Sequence, residues 1–368
     1  MLLAAVLLSG CVGSTAWPGL SAANEVAYLA NTNAVHAIDL KSGNELWSFT
    51  GEKSGGLAIF GGSPKIFVTT PVITEDGLVI VLDSGNKQTM YAVDPNDIID
   101  ESPKIVWKFS DVDSHWIAAP LIVGNRLFAP NSDGKIYVLD LQDGKSEKQA
   151  IKVIEPFKDI EGQPGRLWSQ PVTDGKYIFV TSLDHSIFAI DQETYQIIWH
   201  EDLSGAIPGS VVLGSDGMLY VGSLANQLEK FDPATGKHEP VLDTQGWIWG
   251  TPVVDGDNIY FSDVDGYFYS YNTADSKLNW EPIKPDSAIT ASPLLHAGGV
   301  LLVTESGNVY FVDAAGSMSL WHESTDGKAY TTPVSAGGYV LVSYIESDYY
   351  LIALDDEGDQ KWTFPAGK

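Results

Sequence analysis

AIDLKSGNELW, from Ala37 to Trp47, and AIDQETYQIIW, from Ala189 to Trp199, carry Ala, Asp and Trp at one common spacing. These strings close a unit that recurs eight times along the 368 residues. A period of roughly 40 to 50 residues marks a propeller or a solenoid, because each repeat is one supersecondary unit that buries its apolar faces against its neighbours.

Working back from the closing strings, each unit opens at a proline: Pro18, Pro71, Pro120, Pro171, Pro208, Pro252, Pro293 and Pro333. Proline is tolerated at the first residue of a strand, where no ladder donor is needed. An apolar run follows, then Gly or Asp-Gly, then a second apolar run, as in DGLVIVLD from Asp76 and GGVLLVTE from Gly298. Such turns require positive φ and signal hairpins. A third run (IYVLD from Ile136, IFAID from Ile187) and a fourth (ELWSF from Glu45, IIWHE from Ile198) complete the unit. No stretch sustains helical periodicity. The expectation is an all-β fold, an eight-bladed β-propeller of four-stranded antiparallel blades, with only short exposed edges.

The closing tryptophans are Trp47, Trp107, Trp199, Trp280, Trp321 and Trp362. An indole is large enough to bridge two blades, and its N–H can find a partner at their boundary. The Asp eight residues earlier, Asp39, Asp191 or Asp313, starts the turn between third and fourth strands and can bind turn amides. The pattern decays where unit three ends KVIEPF, where unit five ends HEPVL, and where Asn272 replaces Asp. Neighbours hold a weak repeat in place.

Ala37, Asp39, Gly43 and Trp47 together resemble the tryptophan-docking motif of the PQQ-type, or quinoprotein-like, β-propeller repeats. Within that superfamily a compact eight-bladed lipoprotein of this size is similar to the BamB family, components of the outer-membrane β-barrel assembly machinery. The resemblance implies a non-catalytic scaffold that docks envelope proteins. The fold alone does not fix the role.

The formal net charge is −27, from 48 acidic against 21 basic residues. Phosphate would be repelled, which argues against nucleic acid, and a basic face for anionic lipid is not expected. The N-terminus differs. Leu2 to Leu8 is wholly apolar and too short to span a bilayer. Leu-Ser-Gly-Cys follows, ending at Cys11, the only cysteine of the chain. It resembles a lipobox, whose cysteine is lipidated and becomes the first mature residue, although no Lys or Arg precedes the apolar run. The expected organisation is a signal peptide over 1–10, lipidated Cys11 and a short tether over 11–16, and one propeller domain over 17–368. The expected place is the extracytoplasmic side of a membrane, the outer one where the envelope has two.

No catalytic set emerges. The seven histidines are scattered without HxH or HxxxH spacing, and neither a GxSxG elbow nor a phosphate-cradling glycine loop occurs. Asp263, Asp265 and Gly266 form a DxDG string that a β-turn explains as well as calcium does. Some PQQ-type propellers are dehydrogenases with a vicinal disulfide over the quinone; this chain has no vicinal cysteines. We therefore expect no cofactor, no metal and no enzyme activity.

The loops between units gather on one face. Candidate docking residues there are Phe60 in the glycine-rich loop, Arg166 and Trp168, and the aromatics Trp116, Trp247, Trp249 and Tyr330 just before unit prolines. Asp111 and Asp113 resemble the acidic inter-blade segments that BamB-like proteins turn to their barrel partner. Acidic and aromatic groups on one face steer and then anchor a basic, partly apolar surface. An envelope protein, such as a β-barrel assembly component, is the first expected partner. A second reading is a carbohydrate- or ligand-binding propeller that uses the same aromatics at its central funnel, and the least favoured is a PQQ-dehydrogenase-like protein.

Overall fold

A computed structural model describes residues 17–52, 65–85, 88–112, 114–146, 150–153, 167–324 and 326–365. Among the described residues there are 32 strands and no helix. They form eight four-stranded antiparallel sheets, each from four strands consecutive in sequence. Blades 1 to 8 span 19–49, 72–109, 121–152, 172–202, 212–243, 253–278, 294–322 and 334–365. The chain is an eight-bladed β-propeller. First strands touch around the axis from blade 5 through blade 8 to blade 1.

The motif that closes each blade now has a physical reading. In blade 1, Ala37 of the third strand stands opposite Trp47 of the fourth, and the next pair is Ile38 with Glu45. Leu46 is the extra residue of a bulge, which turns it outward and leaves it 52% exposed. The same shift sets Ala92 opposite Trp107, Ala189 opposite Trp199 and Ala353 opposite Trp362. The small alanine leaves room for the indole on the adjacent strand.

Each of these indoles then reaches the next blade, Trp47 through the core it shares with Val79, Val81 and Tyr91, the other three through a hydrogen bond as well. Trp107 Nε1 donates to the Leu141 carbonyl at 2.8 Å, and Trp199 Nε1 to the Pro233 carbonyl at 2.9 Å. The ring lies over the glycine of the receiving turn. A Cβ at Gly144 would stand 2.4 Å from the Trp107 ring, and one at Gly236 2.7 Å from Trp199. Both glycines have left-handed backbone, φ 67° and 74°, a conformation glycine adopts without steric cost. Trp280 lies likewise over Gly316 and Trp321 over Gly358. The ring closes by this rule too: Trp362 Nε1 donates to the Leu40 carbonyl at 2.7 Å, over Gly43. Leu20, Leu29 and Leu40 of blade 1 share a core with Leu341, Leu351 and Phe364 of blade 8. Closure thus comes from side-chain docking rather than from an exchanged strand.

The aspartates accept hydrogen bonds within the turns between third and fourth strands. Asp39 Oδ1 accepts from Ser42 N at 2.8 Å and Ser42 Oγ at 2.7 Å. Asp191 Oδ1 accepts from Thr194 N at 2.8 Å, and Asp313 Oδ1 from Ser317 N at 2.8 Å. Asn272 Oδ1 accepts from Asp275 N at 2.8 Å, so an amide serves the same turn.

One proline is misplaced by the sequence reading. First strands start directly after Pro18, Pro71, Pro120, Pro171, Pro252, Pro293 and Pro333, but blade 5 starts at Val212, after Val211. Pro208 stands three residues earlier, in the loop slot that holds Trp168 in blade 4, Trp249 in blade 6 and Tyr330 in blade 8.

Candidate docking face

The residue directly before each strand-opening slot is Trp17, Thr70, Ala119, Gln170, Ser210, Thr251, Ser292 or Thr332. Hydroxyls at this level tie neighbouring blades together. Ser210 N donates to Thr251 Oγ1 at 2.9 Å, Thr251 N to Ser292 Oγ at 2.9 Å, and Ser292 N to Thr332 Oγ1 at 3.1 Å. Ser210 Oγ donates to the Gln170 carbonyl at 2.8 Å, and Gln170 Nε2 to the Pro120 carbonyl at 2.9 Å. Trp17 has no hydroxyl, and the junction of blades 8 and 1 is instead tied by Thr331 Oγ1 donating to the Pro18 carbonyl at 2.8 Å. This belt fixes the inter-blade loops immediately above it.

Aromatic rings gather on those loops. Trp17 stacks on Tyr330 with centroids 5.1 Å apart and planes 3° from parallel. Trp249 meets Trp17 edge-on at 5.8 Å and 66°. Three rings from blades 1, 6 and 8 thus converge, all half-buried. Two residues from Trp249, Trp247 is 45% exposed, and its carbonyl accepts from Val264 N at 2.9 Å. Trp168 is half-buried beside Leu167, which bridges to Ser182.

Carboxylates stand near the cluster. Glu305, Lys328 and Glu346 all act electrostatically on Tyr330, whose hydroxyl is pushed up mainly by burial. Burial also raises the Glu305 carboxyl. Lys328 pairs with Glu346 at 3.2 Å.

Other candidates fare differently. Trp116 is fully buried and presents no docking surface. Its indole fills the space between blades 2 and 3, with Leu82, Met90, Leu127 and Tyr137 around it, and its N–H donates to the Gln88 carbonyl at 2.7 Å. A large ring with an internal acceptor gains more from that slot than from water. Asp111 is exposed. Phe60, Asp113, Arg166 and Cys11 lie outside the described residues. Trp17 is the residue that the sequence reading missed. Its signal was its place immediately before Pro18, on the loop level that carries the other aromatics.

Asp263, of the DxDG string, is committed within the fold. It is buried, its Oδ1 accepts from Tyr267 N at 2.9 Å, and its Oδ2 accepts from Gly246 N at 2.9 Å and Tyr269 Oη at 2.7 Å. Among the described residues no three His, Cys, Asp or Glu side chains converge as metal ligands would.

The architecture defines a repeat propeller of the PQQ-like class with an aromatic, acid-flanked loop face. A sequence profile described as outer membrane protein assembly factor BamB matches residues 12–206, 183–294 and 283–368. The chain belongs to that family. The BamB of Xanthomonas campestris pv. campestris is 26% identical over 203 residues, which cover 52% of this chain and 47% of that protein. That of Francisella salina is 22% identical over 204 residues, 54% of this chain and 39% of the other. The aligned region spans less than half of these curated relatives. Among solved structures, BamB from Moraxella catarrhalis superposes with a TM-score of 0.66 at 16% identity, covering 92% of this chain and 93% of that one. The computationally designed Ika8 protein reaches 0.68 at 13% identity, covering 96% and 97%. A designed ring matching as well as a natural one shows how much the fold alone accounts for.

Proposed function

We propose that this protein is a lipid-anchored, non-catalytic propeller of the envelope that takes part in outer-membrane protein assembly by docking another assembly component on its inter-blade-loop face. The family match across 12–368 carries the reading. The loop face supports it with a rigid base, exposed Trp247 and flanking carboxylates. A net charge of −27 favours a basic partner surface and speeds encounter with it. Cys11 supplies the anchor.

Affinity capture from detergent-solubilised membranes tests the docking. A β-barrel assembly component should co-purify with the unsubstituted protein, and Trp247→Ala or Trp168→Ala should reduce it at least ten-fold. Undiminished capture by both variants removes the loop face from the proposal. Cys11→Ser should move the protein from the membrane to the soluble fraction; retention on the membrane rejects the anchor.

A further inference from the structure

Trp17 sits among the loop aromatics as a bound side chain sits in a site. Its ring is stacked on Tyr330 and capped edge-on by Trp249. These are the two geometries that aromatic quadrupoles favour. The following residue is also held, since the Pro18 carbonyl accepts from Thr331 Oγ1 at 2.8 Å. The receiving rings come from blades 6 and 8, and the belt from Thr251 through Ser292 to Thr332 fixes their spacing. The clamp is therefore set by the ring and not by its occupant. Trp17 itself precedes the first strand, Gly19–Ala23, and takes no part in its ladder.

We propose that Trp249 and Tyr330 form a binding site for an aromatic side chain on an extended polypeptide, and that Trp17 occupies this site in cis as a displaceable plug. The local charge selects the flanks of the incoming segment. Glu305 and Glu346 stand with one ammonium, Lys328, around Tyr330, in a strongly acidic chain. The occupant from outside is thus an aromatic residue beside lysine or arginine. This deepens the docking reading by naming the chemistry of the partner segment. A tethered occupant competes at an effective concentration on the order of millimolar. If Trp17 fills the clamp nine-tenths of the time, the apparent affinity for an outside segment drops about ten-fold.

The test uses the full chain and a fluorescein-labelled peptide, Lys-Lys-Trp-Pro-Gly-Lys-Lys, read by fluorescence anisotropy. Trp17→Ala should bind it at least ten-fold more tightly than the unsubstituted protein, and Trp17→Phe should not. Adding Trp249→Ala to Trp17→Ala should abolish the gain, as should replacing the peptide tryptophan by alanine. Trp17→Leu keeps an apolar side chain before Pro18 and removes the stack, so it should match Trp17→Ala and guards against a folding defect. Equal binding by unsubstituted, Trp17→Ala and Trp17→Leu proteins, or a gain that survives Trp249→Ala, overturns the proposal. Membrane capture is a separate readout: failure of peptide binding alone leaves the docking reading standing.

Discussion

The junction between blades 4 and 5 and the junction between blades 3 and 4 do the same work with different residues. At the first, Trp199 leaves its own blade, stacks on Phe231 at 6.2 Å and 7°, and lies over Gly236. At the second, blade 3 offers no closing tryptophan, and the position of the receiving glycine is held by Tyr195 at φ 63°. The Tyr195 ring turns back to fill the gap. It meets Phe128 edge-on at 6.0 Å, and its hydroxyl accepts from Arg126 Nη1 at 3.3 Å. Arg126 Nη2 also pairs with Glu193 at 2.6 Å. A shallow groove of about 550 Å³ remains beside Ile151 and Tyr195. The junction of blades 5 and 6 repeats the lesson. No tryptophan arrives, Ser276 takes the glycine position at φ 53°, and Tyr271 packs against Tyr220 at 6.3 Å. Tryptophan and glycine are therefore one device divided between two blades. Where the donor blade loses the indole, the acceptor blade is free to place a side chain at the glycine position.

The largest effect expected from breaking this pairing is at the indole. Trp199→Ala should cost about 3–5 kcal/mol, read as a lower urea midpoint. Next comes the receiver. Gly236→Ala drives a Cβ into the ring at left-handed φ and should cost about 2–3 kcal/mol in the same assay. Smaller again is Tyr195→Gly, which loses the ring contacts but relieves the backbone, for a net of about 1–2 kcal/mol. The sharpest comparison is Ser276→Gly, expected within about 0.5 kcal/mol of neutral because no indole waits there. A Ser276→Gly loss as large as that of Gly236→Ala would falsify the pairing rule.

The turn aspartates give the mildest test. Bonds from Ser42 hold the Asp39 carboxyl below its ordinary 3.8, as do bonds from Thr194 for Asp191 and from Ser317 for Asp313. A depressed folded pKa means that the folded state binds fewer protons than the unfolded one. The stabilisation is complete above about pH 4 and is lost as pH falls through the depressed folded values. Melting temperature should therefore drop below pH 4. Asp313→Asn should flatten that slope, and Asn272→Asp, in the one blade whose turn begins with an amide, should steepen it. An unchanged slope in both variants would show that these turns are not linked to acid stability.

The junction device was half legible. Asp39, Asp191, Asp313 and the six closing tryptophans stand out because the period is short and the residues are rare. The partner glycine lies in the next repeat, so no single unit displays the pair. Pro208 misled because a proline ahead of an apolar run marks a strand start by local rules alone. The belt sets the register instead, and it puts Ser210 level with Thr251. Trp116 and Trp249 look alike in sequence, each a few residues before a proline. One is sealed between Leu82 and Tyr137 and the other meets Trp17. Which of them is sealed and which stays partly exposed depends on side chains from other blades.

The eight-fold count, the four-strand unit and the turn chemistry were determined by the order of residues, because each rests on interactions within some 40 residues. The closed ring, the coupling of Trp362 to Gly43, and the meeting of Trp17 with Trp249 and Tyr330 were decided only in three dimensions. They join parts of the chain more than 200 residues apart, and such encounters follow from how the blades pack around a common axis rather than from any local pattern.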